Sequence, residues 1–208
     1  MDIHPPMKPV ESLKEFGMHL FIVTLGILIA LSLEGLLEWR HHRELAEEAR
    51  VNILSEIRDN QKDIDDFLKA VPAIRKNEMT ALEAVEDVLA HGKSSTTALQ
   101  LGLSLVELGN TSWTTAQTVG ALSFIPYAEV KKYAGVYQLQ DEYLRLQTRT
   151  EDSMVGALAI FSQNSDPNSV PRAGLEAERD RILNSLTILT AESQIADVLD
   201  TTYKELLK

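Results

Sequence analysis

The sequence predicts an all-α protein: an N-terminal transmembrane helix continuing into a long helix, plus an up-and-down bundle of about four helices. Three observations carry this expectation. An uncharged apolar run lies near the N-terminus, apolar residues after it recur at three- and four-residue spacing, and Gly and Pro cluster in breaks between long periodic segments. The 208 residues divide into a tail (1–16), a membrane helix (17–37) and one helical bundle domain (38–208).

From Gly17 to Leu33 there is no Asp, Glu, Lys or Arg, and the run extends to Leu37 with Glu34 as its single charge. About 21 residues at 1.5 Å each give about 31 Å of helix, matching a hydrocarbon core of about 30 Å. Near the end of the run, Glu34 reads as an interfacial carboxylate. Trp39 with Arg40, His41, His42 and Arg43 reads as an aromatic and polar collar. A cleaved signal peptide competes, because Ala30-Leu31-Ser32 has the form of a cleavage site, yet the segment before the run mixes Lys with Glu and the run is long for a signal. Gly26 and Ala30 form a small-x-x-x-small pair that would let two such helices approach closely. Orientation stays open, with Lys8 and Lys14 on one flank against Arg40, Arg43 and Arg50 on the other.

After Trp39 no Gly or Pro occurs until Pro72. Ala46, Ile53 and Phe67 share one heptad position and Ile57, Ile64 and Val71 the other, with Asn60 interrupting. The seam packs either inside the chain's own bundle or as a parallel coiled coil between protomers in which Asn60 fixes the register. A second helix is expected from about Ala73 to Ala90, ended by His91-Gly92, with Ile74, Leu82, Val85 and Leu89 on one face. Residues Thr97 to Leu108 lean towards helix. Ser112 is the expected N-cap of a short helix to about Leu122, Pro126 opens the next helix to about Phe161, Ser162 to Arg172 form a loop, and Leu175 to Leu207 a final helix.

Net charge is −11, of which the residues after position 37 carry −9, so the domain repels phosphates and nucleic acid is excluded as a partner. Without cysteine there is no disulfide, thiolate metal site or Cys nucleophile. Gly92-Lys93-Ser94 lacks the upstream glycine of a phosphate loop, Asp87 standing there. Glu38 and His41 have the Glu-x-x-His spacing of helix-bundle metal sites, but no second copy exists and a polar collar explains them. His19 lies in the apolar run with no paired histidine for heme. Neither a metal nor a cofactor is expected.

The run from Gly26 to Leu31, then Trp39 and a charged helix with Glu56-Ile57 and Asn60, is similar to uncharacterised bacterial families of small single-pass membrane proteins. Residues Ser112 to Gly120, Ala121 to Tyr127, and Val130 through Tyr133 to Tyr137 resemble the same families' aromatic, small-residue, glycine and helix segment. The resemblance implies an inner-membrane anchor with the helical domain beyond the membrane, in the periplasm, and carries no catalytic residues.

The expected function is therefore a non-enzymatic, membrane-tethered interaction or scaffold module that binds a partner protein or itself. Helix contacts are expected at Gly26, Ala30, Ile53, Ile57, Asn60 and Ile64. One alternative is a ligand-sensing bundle with a small-molecule pocket near Trp113, Tyr133 and Tyr137. Another is an enzyme in which several carboxylates converge in a cleft.

Overall fold

The computed structural model describes residues 13–95, 104–163 and 166–208, and it is an all-helical bundle, as expected. Helix α1 spans Leu13–His91, α2 Thr111–Thr118, α3 Tyr127–Gln163 and α4 Arg172–Leu206, with 3-10 turns at Ala121–Phe124 and Pro167–Ser169. The chain forms two compact units, one up to Glu48 and one from Ala49 onwards.

The described part of the first unit is α1 alone. Its best 18-residue window has a mean hydropathy of 2.4 and is 0% buried, so a long apolar surface faces outwards on all sides. By length and composition this helix is able to cross a membrane. Its polar side chains bond to the helix itself: Ser32 Oγ donates to the Leu28 carbonyl at 2.7 Å, and His19 Nδ1 lies 2.9 Å from the Glu15 carbonyl. At the end of the apolar run the Arg43 guanidinium lies over the Trp39 ring, and Glu38 lies 4.0 Å from His42.

The second unit is built on a heptad seam. On α1 the buried positions Ile53, Ile57, Asn60, Ile64 and Phe67 follow the expected phase. That phase then continues through Pro72 to Glu78, Ala81 and Val85, all buried. The expected break between a first helix and a second one starting at Ala73 does not occur. Pro72 is exposed, so the ring and the helical bond it removes face solvent while the packed seam on the opposite face runs on.

Helix α4 buries Leu175, Glu178, Ile182, Ser185, Leu189, Glu192, Ala196, Leu199 and Tyr203, a strict alternation of three and four. Helix α3 buries Tyr133, Val136, Gln140, Tyr143, Gln147 and Thr150, a stripe with one aliphatic residue. Glu129 meets Arg50 and Tyr137 meets Glu56, so α3 advances along α1 in the same direction. Helix α4 runs the other way, with Arg172 at Leu89, Ser185 at Glu78 and Asp200 at Gln61. Parallel neighbours need a crossover, and residues 92–126 supply it.

The crossover departs from expectation in two places. Residues 104–110 are irregular instead of helical, while 97–103 lie outside the described residues, as do residues 1–12 of the tail. Helix α2 begins one residue before Ser112 with Asn110 at its N-cap position, and Asn110 makes no side-chain capping bond. The Glu56 carboxylate of α1 takes that role, accepting the Ser112 N–H at 2.8 Å. Gly120, with φ +74°, ends α2 in the left-handed conformation expected of a helix terminator.

Candidate functional site

Three side-chain amides hold the crossover, each meeting both backbone groups of one residue. Asn60 Nδ2 donates to the Gly109 carbonyl at 2.8 Å while Gly109 N–H donates to Asn60 Oδ1 at 2.8 Å. Val106 N–H donates to Gln147 Oε1 at 2.8 Å and Gln147 Nε2 returns a bond to the Val106 carbonyl at 3.1 Å. Asn168 does the same for Ser94, at 2.8 and 3.3 Å. An amide has one donor edge and one acceptor edge, so it satisfies the N–H and the carbonyl of a residue outside any helix.

Beside Asn60, Glu56 uses both oxygens. Oε1 accepts from the Tyr137 hydroxyl at 2.6 Å and Oε2 from Ser112 N–H. Trp113, carried on α2, stacks on Tyr137 with ring centroids 5.2 Å apart and planes 14° from parallel. Burial, and then the adjacent Glu56 charge, push the Tyr137 hydroxyl well above its usual range and keep it a neutral donor. Of the three residues expected to line a pocket, Trp113 and Tyr137 thus occupy the space against each other. Tyr133 points elsewhere: its hydroxyl donates to Glu129 at 2.8 Å, and it lines a cleft between α1, α3 and α4.

Ile53, Ile57 and Ile64 have no exposed surface and Asn60 only 3%, so this seam is spent inside the chain's own bundle and is closed to a second copy. Asn60 positions the crossover through Gly109. Gly26 and Ala30 lie exposed in the apolar run, and a Cβ on Gly26 would meet nothing within 4 Å.

The periodicity of apolar residues alone does not reveal the carboxylates in the core. Glu78, Glu178 and Glu192 are each 1% exposed or less. Glu78 Oε1 accepts from Ser185 Oγ at 2.8 Å, Glu192 Oε2 from Thr150 Oγ1 at 2.9 Å, and Glu178 pairs with Arg181 at 3.3 Å. Burial pushes all three carboxyls above the ordinary glutamate value, against the opposing pull of these partners. Heptad positions betray them, since Glu178 and Glu192 alternate with Leu175, Ile182 and Leu189 on one α4 face. Fourteen residues of helix set Glu178 and Glu192 about 21 Å apart, while Glu78, on Ser185 between them, is near enough for its charge to raise Glu192 further. Among the described residues no group of three His, Asp or Glu is placed to hold a metal ion.

The described site is therefore a set of fixed polar contacts that lock a crossover onto helices, together with the open cleft beside Tyr133 and a second hollow at the crossover itself, lined by Glu56, Asp59, Asn60, Asp63, Glu107 and Gly109. No family model matches the chain, and no curated protein or solved structure matches it.

Proposed function

We propose that the chain is a membrane-anchored, non-enzymatic helical interaction module of the bacterial inner membrane, with residues 49–208 on the periplasmic side. The observation that supports this reading is the double character of α1. One helix carries both an apolar window with none of its surface buried and, further on, the seam around which the bundle packs. In water such a window would be a large aggregation surface, whereas in a bilayer it costs nothing and anchors the bundle. Because the seam is filled within the chain, a partner protein or second copy has to dock on the outer faces of the bundle or along the apolar helix.

The test is fractionation of the expressed chain with alkaline carbonate washing, combined with C-terminal fusions to a reporter active only in the cytoplasm and one active only in the periplasm. Retention in the membrane pellet at full-length mass, with periplasmic reporter activity, is the expected result. Release as a shortened chain would identify residues 17–37 as a cleaved signal and overturn the anchor. Cytoplasmic activity would overturn the orientation.

A ligand-sensing bundle is the second reading, and the cleft beside Tyr133 favours it.

A further inference from the structure

We infer that the cleft between α1, α3 and α4 is a binding site for a small amphiphilic anion, a carboxylate on an apolar chain. This goes beyond the anchoring role and concerns residues 49–208 alone.

The cleft has a volume of about 600 Å³, within the range of small-molecule sites. Its apolar lining comes from all three helices: Leu54 of α1, Tyr133, Val136 and Leu139 of α3, and Leu206 of α4. Tyr133 and Val136 are buried beneath it. Burying an alkyl chain against such a surface is favourable by about 0.8 kcal/mol per methylene.

The edge of the cleft has the opposite charge to the protein as a whole. Lys131, Lys132 and Lys208 lie there, in a chain of net charge −11, and none of them forms an ion pair with a described residue. Of the two lining carboxylates, Glu129 is already engaged by Arg50 at 2.7 Å and by the Tyr133 hydroxyl. The Arg50 contact, chiefly, holds Glu129 below the usual glutamate value, so it stays a paired anion. Glu205 opposes the lysines, and Glu129, besides its Arg50 contact, feels the Lys132 charge; three lysines against two carboxylates leave an excess of positive charge over an apolar floor. An anionic head with an apolar tail complements both.

Gly135 is the second, independent sign. It lines the cleft in the interior of α3, where glycine weakens a helix by about 0.5–1 kcal/mol relative to alanine. Neither a left-handed backbone nor a close neighbour requires it, since a Cβ there would meet nothing within 4 Å. Gly174, by contrast, faces Val170 Cγ1 at 3.1 Å from an added Cβ. A side chain added at 135 would enter the open space at the wall of the cleft.

The experiment uses the full chain in nanodiscs of zwitterionic phosphatidylcholine, with radiolabelled decanoate as probe, empty nanodiscs as background and decanol as the uncharged analogue. Saturable one-to-one binding of decanoate and several-fold weaker binding of decanol is expected. Gly135→Leu should abolish binding by filling the cleft. Replacing the exposed pair Lys131 and Lys132 by Gln, which leaves the core untouched, should weaken it about fivefold, as the loss of two partly exposed ion pairs predicts. Unsaturable uptake, equal binding of decanol, or wild-type affinity in the lysine double variant would overturn the proposal. Phosphatidylglycerol added to the nanodiscs separates the sources: displacement of decanoate identifies a lipid headgroup with its chain as the natural occupant, and undiminished binding identifies a soluble amphiphile.

Discussion

Asn60 and Gly109, 49 residues apart in sequence, are joined by two hydrogen bonds of 2.8 Å that pair one side-chain amide with both backbone groups of one residue. Gln140 Nε2 adds a third bond to the same carbonyl at 3.2 Å. An irregular segment laid against helices has no ladder to satisfy its backbone, and these amides replace that ladder.

Asn60→Asp keeps the shape and one acceptor but sets a carboxylate oxygen against the Gly109 carbonyl in place of a donor. The expected cost is about 1–3 kcal/mol, the range for leaving a partly buried polar group unmatched. A lowered urea midpoint with unchanged slope would show it, accompanied by faster hydrogen exchange at the Gly109 amide. An unchanged midpoint would mean that the crossover is not held at this point.

The buried carboxylates give the fold a specific pH response. Glu78, Glu178 and Glu192 bind their protons more tightly folded than unfolded, where the ordinary value is 4.5. Their contribution is therefore complete below pH 4.5 and is lost as pH rises through their raised folded values. Glu129 has the opposite sign: Arg50 depresses its pKa, so its contribution holds above 4.5 and is lost as pH falls through its lowered value. Stability should accordingly fall from mildly acidic to neutral pH. Glu192→Gln, which cannot ionise, should be more stable than the parent at pH 7 and lose that advantage near pH 4.5. Unfolding midpoints of both proteins across this range test the sign, and a difference independent of pH would refute it.

Pro72 offers a test of how the seam outlasts a helix breaker. Its ring removes the bond to the Leu68 carbonyl, but on an exposed face. Pro72→Ala restores that bond while giving back some freedom to the unfolded chain, and the two effects oppose each other. A proline inside a helix costs about 3 kcal/mol and the unfolded-state effect is about 0.4–1 kcal/mol, so a net gain of about 2 kcal/mol is expected. Thermal unfolding followed by circular dichroism measures it, and a loss of stability would mean that the proline relieves a bend the bundle needs.

The helical class and the membrane-length run were legible because both depend on local periodicity, as Ile53, Ile57, Ile64 and Phe67 show. The same phase carried past Pro72 reaches Glu78, Ala81 and Val85, yet whether a proline stops a helix depends on which face it occupies, and that is a tertiary fact. Helix α3 hides its inner face from hydropathy because Tyr133, Gln140, Gln147 and Thr150 do the packing. The cleft joins Leu54, Tyr133 and Leu206, and no pattern within any one segment announces that meeting. Trp113, Tyr133 and Tyr137 were recognisable as candidate neighbours, but the stacking of Trp113 on Tyr137 is set beside Glu56 of another helix, which bonds both elements.

That shared partner leads to a last prediction. The Glu56 carboxylate serves a buried hydroxyl and a helix N-terminus together, so its two bonds are coupled through one charge. In Glu56→Gln the amide oxygen accepts from Ser112 N–H and the amide nitrogen donates to the Tyr137 oxygen, so both contacts survive without charge and the cost is about 1 kcal/mol. Glu56→Leu leaves the Ser112 N–H and the Tyr137 hydroxyl without a partner, and costs about 2–6 kcal/mol as the sum of two unsatisfied groups. Trp113 reports the difference directly once Trp39→Phe removes the other indole. Its emission should stay near the parent's in the Gln variant and shift towards that of a solvated indole in the Leu variant, because only there does α2 lose its hydrogen-bond partner at position 56. Identical spectra in the two variants would show that ring stacking, and not Glu56, holds α2 in place.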